Sequence, residues 1–231
     1  MGGRGPIPIV ALDIATRREA LAIVDRLGAL CRFYKVGSEL FTAEGPAIVG
    51  ALRDAGCDVF LDLKFHDIPT TVGRAARGAA ALGARLITVH ASGGLAMIEA
   101  AVAGAGRECG VLAVTVLTSH DAASLGEAWG RDGVVVDDEV RRLASLARRA
   151  GAHGVVCSGH EAPLVRADHG DALRLLVPGV RLAGGPSHDQ ARVVSPAEGA
   201  AAGAAYLVIG RAVTGAPDPA LAMGRVLAEL A

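Results

Sequence analysis

The sequence predicts an α/β chain closed as a single (β/α)8 barrel, the TIM-barrel architecture, over residues 1–231. Three observations predict it. Apolar, strand-like runs alternate with helix-like segments eight times, and no linker, low-complexity stretch or shift in composition interrupts them. The fifth run, Val111 to Leu117, is almost wholly apolar, as a parallel strand covered on both faces must be. The length of 231 residues suits one barrel, whereas an open sheet of eight parallel strands more usually brings an edge strand or a second domain.

Composition agrees and narrows the function. Hydrophobic residues make up 52% but aromatic residues only 3%, and glycine numbers 31, so the core must be built from Ala, Val, Leu and Ile against closely packed backbone. A formal net charge of −1 and a pI near 6.7 offer no electrostatic footing for nucleic acid or a membrane surface. Cys31, Cys57, Cys109 and Cys157 are widely spaced with no C-x-x-C pair, which reads as buried free thiols in a reducing cytoplasm. The opening MGGRGPIPIVALDIA is broken by Pro8 and Asp13, so it reads as neither a signal peptide nor a membrane span.

Each element has a local reason. Ile7 to Ile14 reads as the first strand, and Thr16 caps a helix running to about Gly28. Phe33 to Gly37 is a second strand, followed by a loop and a helix from Pro46 to Ala55. The third strand spans about 58–64, and Ile68-Pro69 ends it because proline lacks an amide donor and drives its predecessor out of helical geometry. A helix then runs to about Leu82, closed by Gly83, and Leu86 to His90 is a fourth strand leading to a helix that ends near Ala105. After the fifth strand, residues 118–136 read as irregular loop. Asp137-Asp138-Glu139 opens a helix ending in Arg148-Arg149, acid first and base last, which complements the helix dipole and makes the arginines a solvated face. Val155 to Ser158, Leu173 to Val177 and Tyr206 to Ile209 complete the strands, and the last helix covers Pro219 to Leu230.

One stretch carries unusual charge. Residues 61–71 read LDLKFHDIPTT, and side chains alternate faces along a strand, so Asp62 and Lys64 share one face and Leu61 and Leu63 the other. Asp67 falls on the loop just past the strand. All but two of the 23 basic residues are arginine, the exceptions being Lys35 and Lys64. An ammonium is compact and can release a proton near neutrality, which a guanidinium cannot, so surviving lysines mark positions where chemistry selects them. An inert buried ion-pair cluster is the plainer reading, but such clusters cost desolvation and are weak sources of stability.

In a barrel the C-terminal ends of the strands form the rim that holds the active site. Asp13, Lys35, Asp62, Lys64 and Thr118 all fall at or just beyond strand ends. The loops after strands seven and eight commonly bind phosphate, and here they offer Arg181, Gln190, the Gly210 amide and Arg211. A phosphorylated small-molecule substrate follows. Gly184-Gly185-Pro186 is placed to fold over it as a lid, although an ordinary turn would read the same way.

Taken together, ALDIAT (11–16), YKVG (34–37), DLKFHDIP (62–69), TVHASGG (88–94), VTVLTS (114–119), PGVR (178–181) and VIGRAVT (208–214) resemble the orotidine 5′-phosphate decarboxylase family over nearly the whole chain. The resemblance implies cofactor-free, metal-free decarboxylation of orotidine 5′-phosphate to UMP by a homodimer with active sites shared across the interface. By motif, Asp13 would bind the ribose. Lys35, Asp62, Lys64 and Asp67 would form an alternating charge network, Asp67 and Thr71 reaching into the partner's site. Thr118 would lie near the pyrimidine, and Arg181, Gln190, Gly210 and Arg211 would hold the phosphate. Thr70 departs from the family pattern, where asparagine is expected before Thr71, and residues 182–189 match no pattern closely.

The nearest rival is a magnesium-dependent sugar-phosphate enzyme on the same barrel with a D-x-K-x-x-D signature, such as a hexulose-phosphate synthase or keto-gulonate-phosphate decarboxylase, which would work through an enediolate. A metal-dependent epimerase would use His66 and His90 as ligands, but Lys64 stands where a third is needed, and packing or hydrogen bonding suits both histidines better. A catalytically dead barrel that senses a phosphorylated ligand would keep the 181–211 groups yet have no use for Lys64.

Overall fold

The computed structural model describes residues 5–182 and 193–231. Eight strands, Ile7–Ala11 (β1), Phe33–Gly37 (β2), Asp58–Phe65 (β3), Leu86–His90 (β4), Gly110–Val114 (β5), Gly154–Val156 (β6), Arg174–Val177 (β7) and Tyr206–Ile209 (β8), run parallel in sequence order. β8 pairs with β1 and closes the barrel. The helices are Arg17–Leu27 (α1), Ser38–Glu44 (α2), Ala47–Asp54 (α3), Pro69–Ala81 (α4), Leu95–Ala105 (α5), Ala122–Trp129 (α6), Val136–Arg149 (α7), Ala162–His169 (α8), Pro196–Ala201 (α9), Arg211–Thr214 (α10) and Pro219–Glu229 (α11).

Strand alternation sorts the core into two layers. Ile9 and Ala11 point into the barrel with Phe33, Phe60, Leu86, Leu112, Leu176 and Val208. Val10, Tyr34, Val59, Leu61 and Ile87 point outward against helix residues such as Val24, Leu52 and Ala76. Lys35 follows Phe33 by two residues and Asp62 follows Phe60 by two, so both charges lie on the inward face, one step nearer the rim.

Local expectations hold where a cap or a proline sets them. Thr16 Oγ1 accepts from the Glu19 amide at the start of α1, and Pro69 begins α4. Arg148 and Arg149 are exposed in the last turn of α7. All four cysteines are buried free thiols. Among the described residues no helix is long and apolar enough to cross a membrane.

Other expectations need correction. β1 ends at Ala11 rather than Ile14: the Leu12 amide still bonds the Lys35 carbonyl, and the chain then turns to reach the Thr16 cap. β5 ends at Val114 rather than Leu117, and β6 at Val156 rather than Ser158, although the Thr115 amide still bonds the Val156 carbonyl and the Cys157 amide the Leu176 carbonyl. The segment between β2 and β3 holds two helices, α2 being ended by Gly45 at φ 62. Residues 118–136, expected as loop, contain α6, which starts on a capping box made by Asp121 and Ser124. Buried Glu139 anchors this excursion by accepting from Arg131 and Arg142.

α4 and α5 approach closely because small residues line their contact. A Cβ on Gly104 would sit inside the van der Waals envelope of the Gly73 carbonyl, whereas one on Gly50 in α3 would meet nothing within 4 Å. Gly104→Ala is therefore expected to lower stability by about 1–3 kcal/mol through overpacking, read as a lower urea midpoint. Gly50→Ala in the same assay should be neutral or raise stability by up to about 1 kcal/mol.

Candidate active site

The inward charges join at the C-terminal rim. Lys35 Nζ lies 2.7 Å from Asp13 Oδ1 and 3.7 Å from Asp62 Oδ2, and Lys64 Nζ lies 2.9 Å from both oxygens of Asp62. The chain Asp13, Lys35, Asp62, Lys64 thus alternates in sign. Its middle is dry and its ends are open: the Lys35 and Asp62 side chains are 11% exposed, against 37% for Lys64 and 56% for Asp13. Gly37 leaves room for this pairing, because a Cβ there would come within 3.0 Å of Lys35 Nζ and 3.3 Å of Asp13 Oδ1.

Asp62 and Lys64 converge as expected, but not by regular alternation. From Leu61, paired with Ile87, to Phe65, paired with Val89, β3 advances four residues while β4 advances two. β3 therefore bulges across Asp62, Leu63 and Lys64, and Lys64 takes φ 49, the single non-glycine residue with positive φ among those described. That conformation costs a side-chain-bearing residue about 1–2 kcal/mol, and such strain persists only where the surroundings hold it. Here Thr88 does so: its Oγ1 accepts from the Lys64 amide at 2.9 Å and donates to Asp62 Oδ1 at 2.9 Å.

Electrostatics follow from this packing. Burial alone would push the Asp62 carboxyl up, but the Lys64 and Lys35 charges, with hydrogen bonds from Lys64 and Thr88, outweigh it and hold the group below its ordinary value. Asp62 is thus an anion near neutral pH, a counter-charge set against Lys64 Nζ. His90, at the end of β4, is pushed down by burial and by the nearby His66 and Lys64. The His66 and His90 rings lie 5.5 Å apart with planes tilted by 37°, and among the described residues no three His, Cys, Asp or Glu side chains gather as a metal site.

The charge chain forms one side of a cavity of about 460 Å³, a size that accommodates a nucleotide-sized ligand. Ala11, Phe60, Val114, Val156, Leu176 and Val208 give it an apolar floor and wall. Thr118, Arg181, Gly210 and Arg211 line it too. Arg181 is buried, and burial together with the Arg211 guanidinium pushes its pKa down. Its Nη1 donates to the Val180 carbonyl at 3.0 Å, while its buried Nε has no hydrogen-bond partner among the described residues. Two guanidiniums brought together in this way suit an anion placed between them.

Of the residues the sequence singles out, eight line this cavity: Asp13, Lys35, Asp62, Lys64, Thr118, Arg181, Gly210 and Arg211. Gln190 and the Gly184-Gly185-Pro186 segment lie outside the described residues. Asp67 and Thr71 do not line it; both are exposed, and Asp67 Oδ1 accepts from the Ile68 amide at 2.6 Å. Sequence reasoning passed over Pro178 and Gly179 of the PGVR motif, which line the cavity, and Thr88, whose signal was a lone hydroxyl in the apolar strand LITVH.

A closed (β/α)8 barrel whose C-terminal rim combines a buried acid–ammonium chain with paired arginines defines an enzyme of small anionic substrates. The chain belongs to the orotidine 5′-phosphate decarboxylase / HUMPS family, whose model matches residues 6–226. It is 52% identical over 227 residues to an orotidine 5′-phosphate decarboxylase of Alkalilimnicola ehrlichii, covering 96% of this chain and 95% of that one. With another from Anaeromyxobacter sp. it shares 56% identity over 220 residues, covering 95% and 96%. A crystal structure of orotidine 5′-phosphate decarboxylase from Lactobacillus acidophilus superposes with a TM-score of 0.85 at 34% identity, covering 98% of this chain and 99% of that one.

A depressed Asp62 pKa makes a pH prediction. The stability contributed by the ionised carboxylate is fully present above the unfolded value, about 3.9, and is lost as pH falls through the lower folded value. In carbon NMR the Asp62 carboxyl should titrate below exposed aspartates, and Lys64→Ala should move its midpoint upward. An unmoved midpoint would mean that Lys64 does not control this charge.

Proposed function

We propose that this chain decarboxylates orotidine 5′-phosphate to UMP, the last step of de novo pyrimidine synthesis, with its own side chains and no metal or cofactor. The observation that carries the reading is Lys64 Nζ held 2.9 Å from both Asp62 oxygens at the wall of a cavity that also contains Arg181 and Arg211. Family membership and relatives named for this activity support it.

In this reading the arginines take the phosphate and Asp13 the ribose, while Thr118 borders the pyrimidine. The bond from C6 to the carboxylate breaks, CO2 leaves, and the electron pair stays on C6 with no adjacent sink. The Lys64 ammonium stabilises that pair electrostatically and then gives C6 a proton, leaving a neutral amine that regains its proton from solvent. Asp62 holds the Lys64 ammonium through both of its oxygens and keeps it aimed. Phosphate contacts remote from C6 supply binding energy that can be expressed at the transition state.

The family name also covers sugar-phosphate chemistry, for which a magnesium-dependent reaction is the alternative. Asp62 argues against it at this position: its oxygens already accept from Lys64 and Thr88 and face Lys35, so a cation would have to displace them. Purified protein should lower orotidine 5′-phosphate absorbance at an unchanged rate in excess chelator, and a chelator-sensitive reaction would favour the sugar-phosphate reading. Lys64→Ala should cut turnover by about 10⁴-fold or more, since one group supplies both charge and proton, while UMP binding persists.

The acting unit in this proposal is a homodimer in which Asp67 and Thr71 complete the partner's site. Their exposure beside Ile68, itself 67% exposed, and their position outside this chain's own cavity support that reading. Mixing Lys64→Ala with Asp67→Ala chains should then restore part of the activity, because one of the two mixed sites is intact. No recovery above the separate variants would count against a shared site.

A further inference from the structure

We infer that Thr88 is a positioning residue for the Lys64–Asp62 pair, its one hydroxyl holding both the bulged Lys64 backbone and the Asp62 carboxylate so that the ammonium is aimed into the cavity. Its kinetic consequence rests on the proposed decarboxylation, but its geometry does not. Thr88 is fully buried in β4, on the same inward face as Leu86. It is a polar residue in an otherwise apolar stretch, and both of its hydroxyl contacts go to the charged strand beside it.

The bulge explains why a hydroxyl is needed there. Because β3 spends four residues where β4 spends two, Asp62, Leu63 and Lys64 all lie opposite Thr88, and the regular ladder cannot serve the Lys64 amide. The Thr88 oxygen accepts that amide at 2.9 Å and turns its own proton to Asp62 Oδ1 at 2.9 Å. Lys64 Nζ reaches the same Asp62 oxygen at 2.9 Å. A single side chain therefore ties the main chain of Lys64 to the counter-ion of its ammonium. A methyl group in place of that oxygen would strand the part-buried Lys64 amide and remove one donor from the buried Asp62 anion, and the bulge would lose what holds it.

Thr88→Val removes the oxygen at constant shape, and Thr88→Ser keeps it. Turnover of orotidine 5′-phosphate, UMP affinity by calorimetry and a crystal structure are compared with the unaltered protein. Thr88→Val should lower kcat about 10- to 100-fold, the effect of a small misplacement at the reacting centre, with UMP affinity within about threefold. Thr88→Ser should return kcat to within about threefold of the unaltered protein, and in the Thr88→Val crystal Lys64 should leave positive φ or its Nζ should draw away from Asp62. A Thr88→Val kcat within about threefold of the unaltered protein, or a Thr88→Ser variant as impaired as Thr88→Val, overturns the inference. If Thr88→Val does not fold, Thr88→Ala is judged by the same criteria. Should the unaltered protein itself fail to decarboxylate, the proposed function falls instead. The crystal structure then decides Thr88 alone, an undisturbed Lys64 in the hydroxyl-free variant refuting the inference and a displaced one supporting it.

Discussion

The site depends on one buried carboxylate. Asp62 sits among apolar barrel walls, where an isolated charge would neutralise itself, and it stays ionised because Lys64, Lys35 and Thr88 surround it with donors. Removing any of these leaves a charge or a donor without its partner, so the four groups stand or fall together. The arrangement adds little to stability for what it demands, which points to chemistry as its purpose.

The barrel supplies the frame for that carboxylate. Inward residues rise in columns along the strands, and in β2 and β3 the column is apolar at the bottom and charged at the rim, so Phe33 stands below Lys35 and Phe60 below Asp62. The β3 bulge interrupts one column at the point where two charges must meet instead of following at strand spacing. Arg181 and Arg211 lie elsewhere on the cavity lining, contributed by the segments after β7 and β8. Their mutual repulsion, and an Arg181 Nε that is buried with no partner among the described residues, leave that part of the site set for an anion.

Much of this was legible in the residues. Two lysines in an arginine-rich chain, both near strand ends, marked the charge chain, and the proline after Ile68 marked where β3 must end. Apolar runs gave the strand count because burial on both faces leaves little else to place there. What stayed hidden depends on neighbours remote in sequence. Helix α6 lay in a stretch rich in turn-forming residues, and its Asp121–Ser124 box stood too far from a strong apolar period to be recognised. The bulge at Lys64 cannot be inferred from LDLKFH, because a register is a relation between two strands.

Local periodicity and punctuation in the chain were enough to set the alternation of elements, the face that Asp62 and Lys64 share and the residue types that reach the rim. Packing between strands settled that Lys64 would adopt a left-handed backbone, that Thr88 would bridge it to Asp62, and that Asp67 would not line its own chain's cavity. The reason is physical. Periodicity assigns a side chain to a face, but hydrogen-bond partners and close approach are set when separate strands pack.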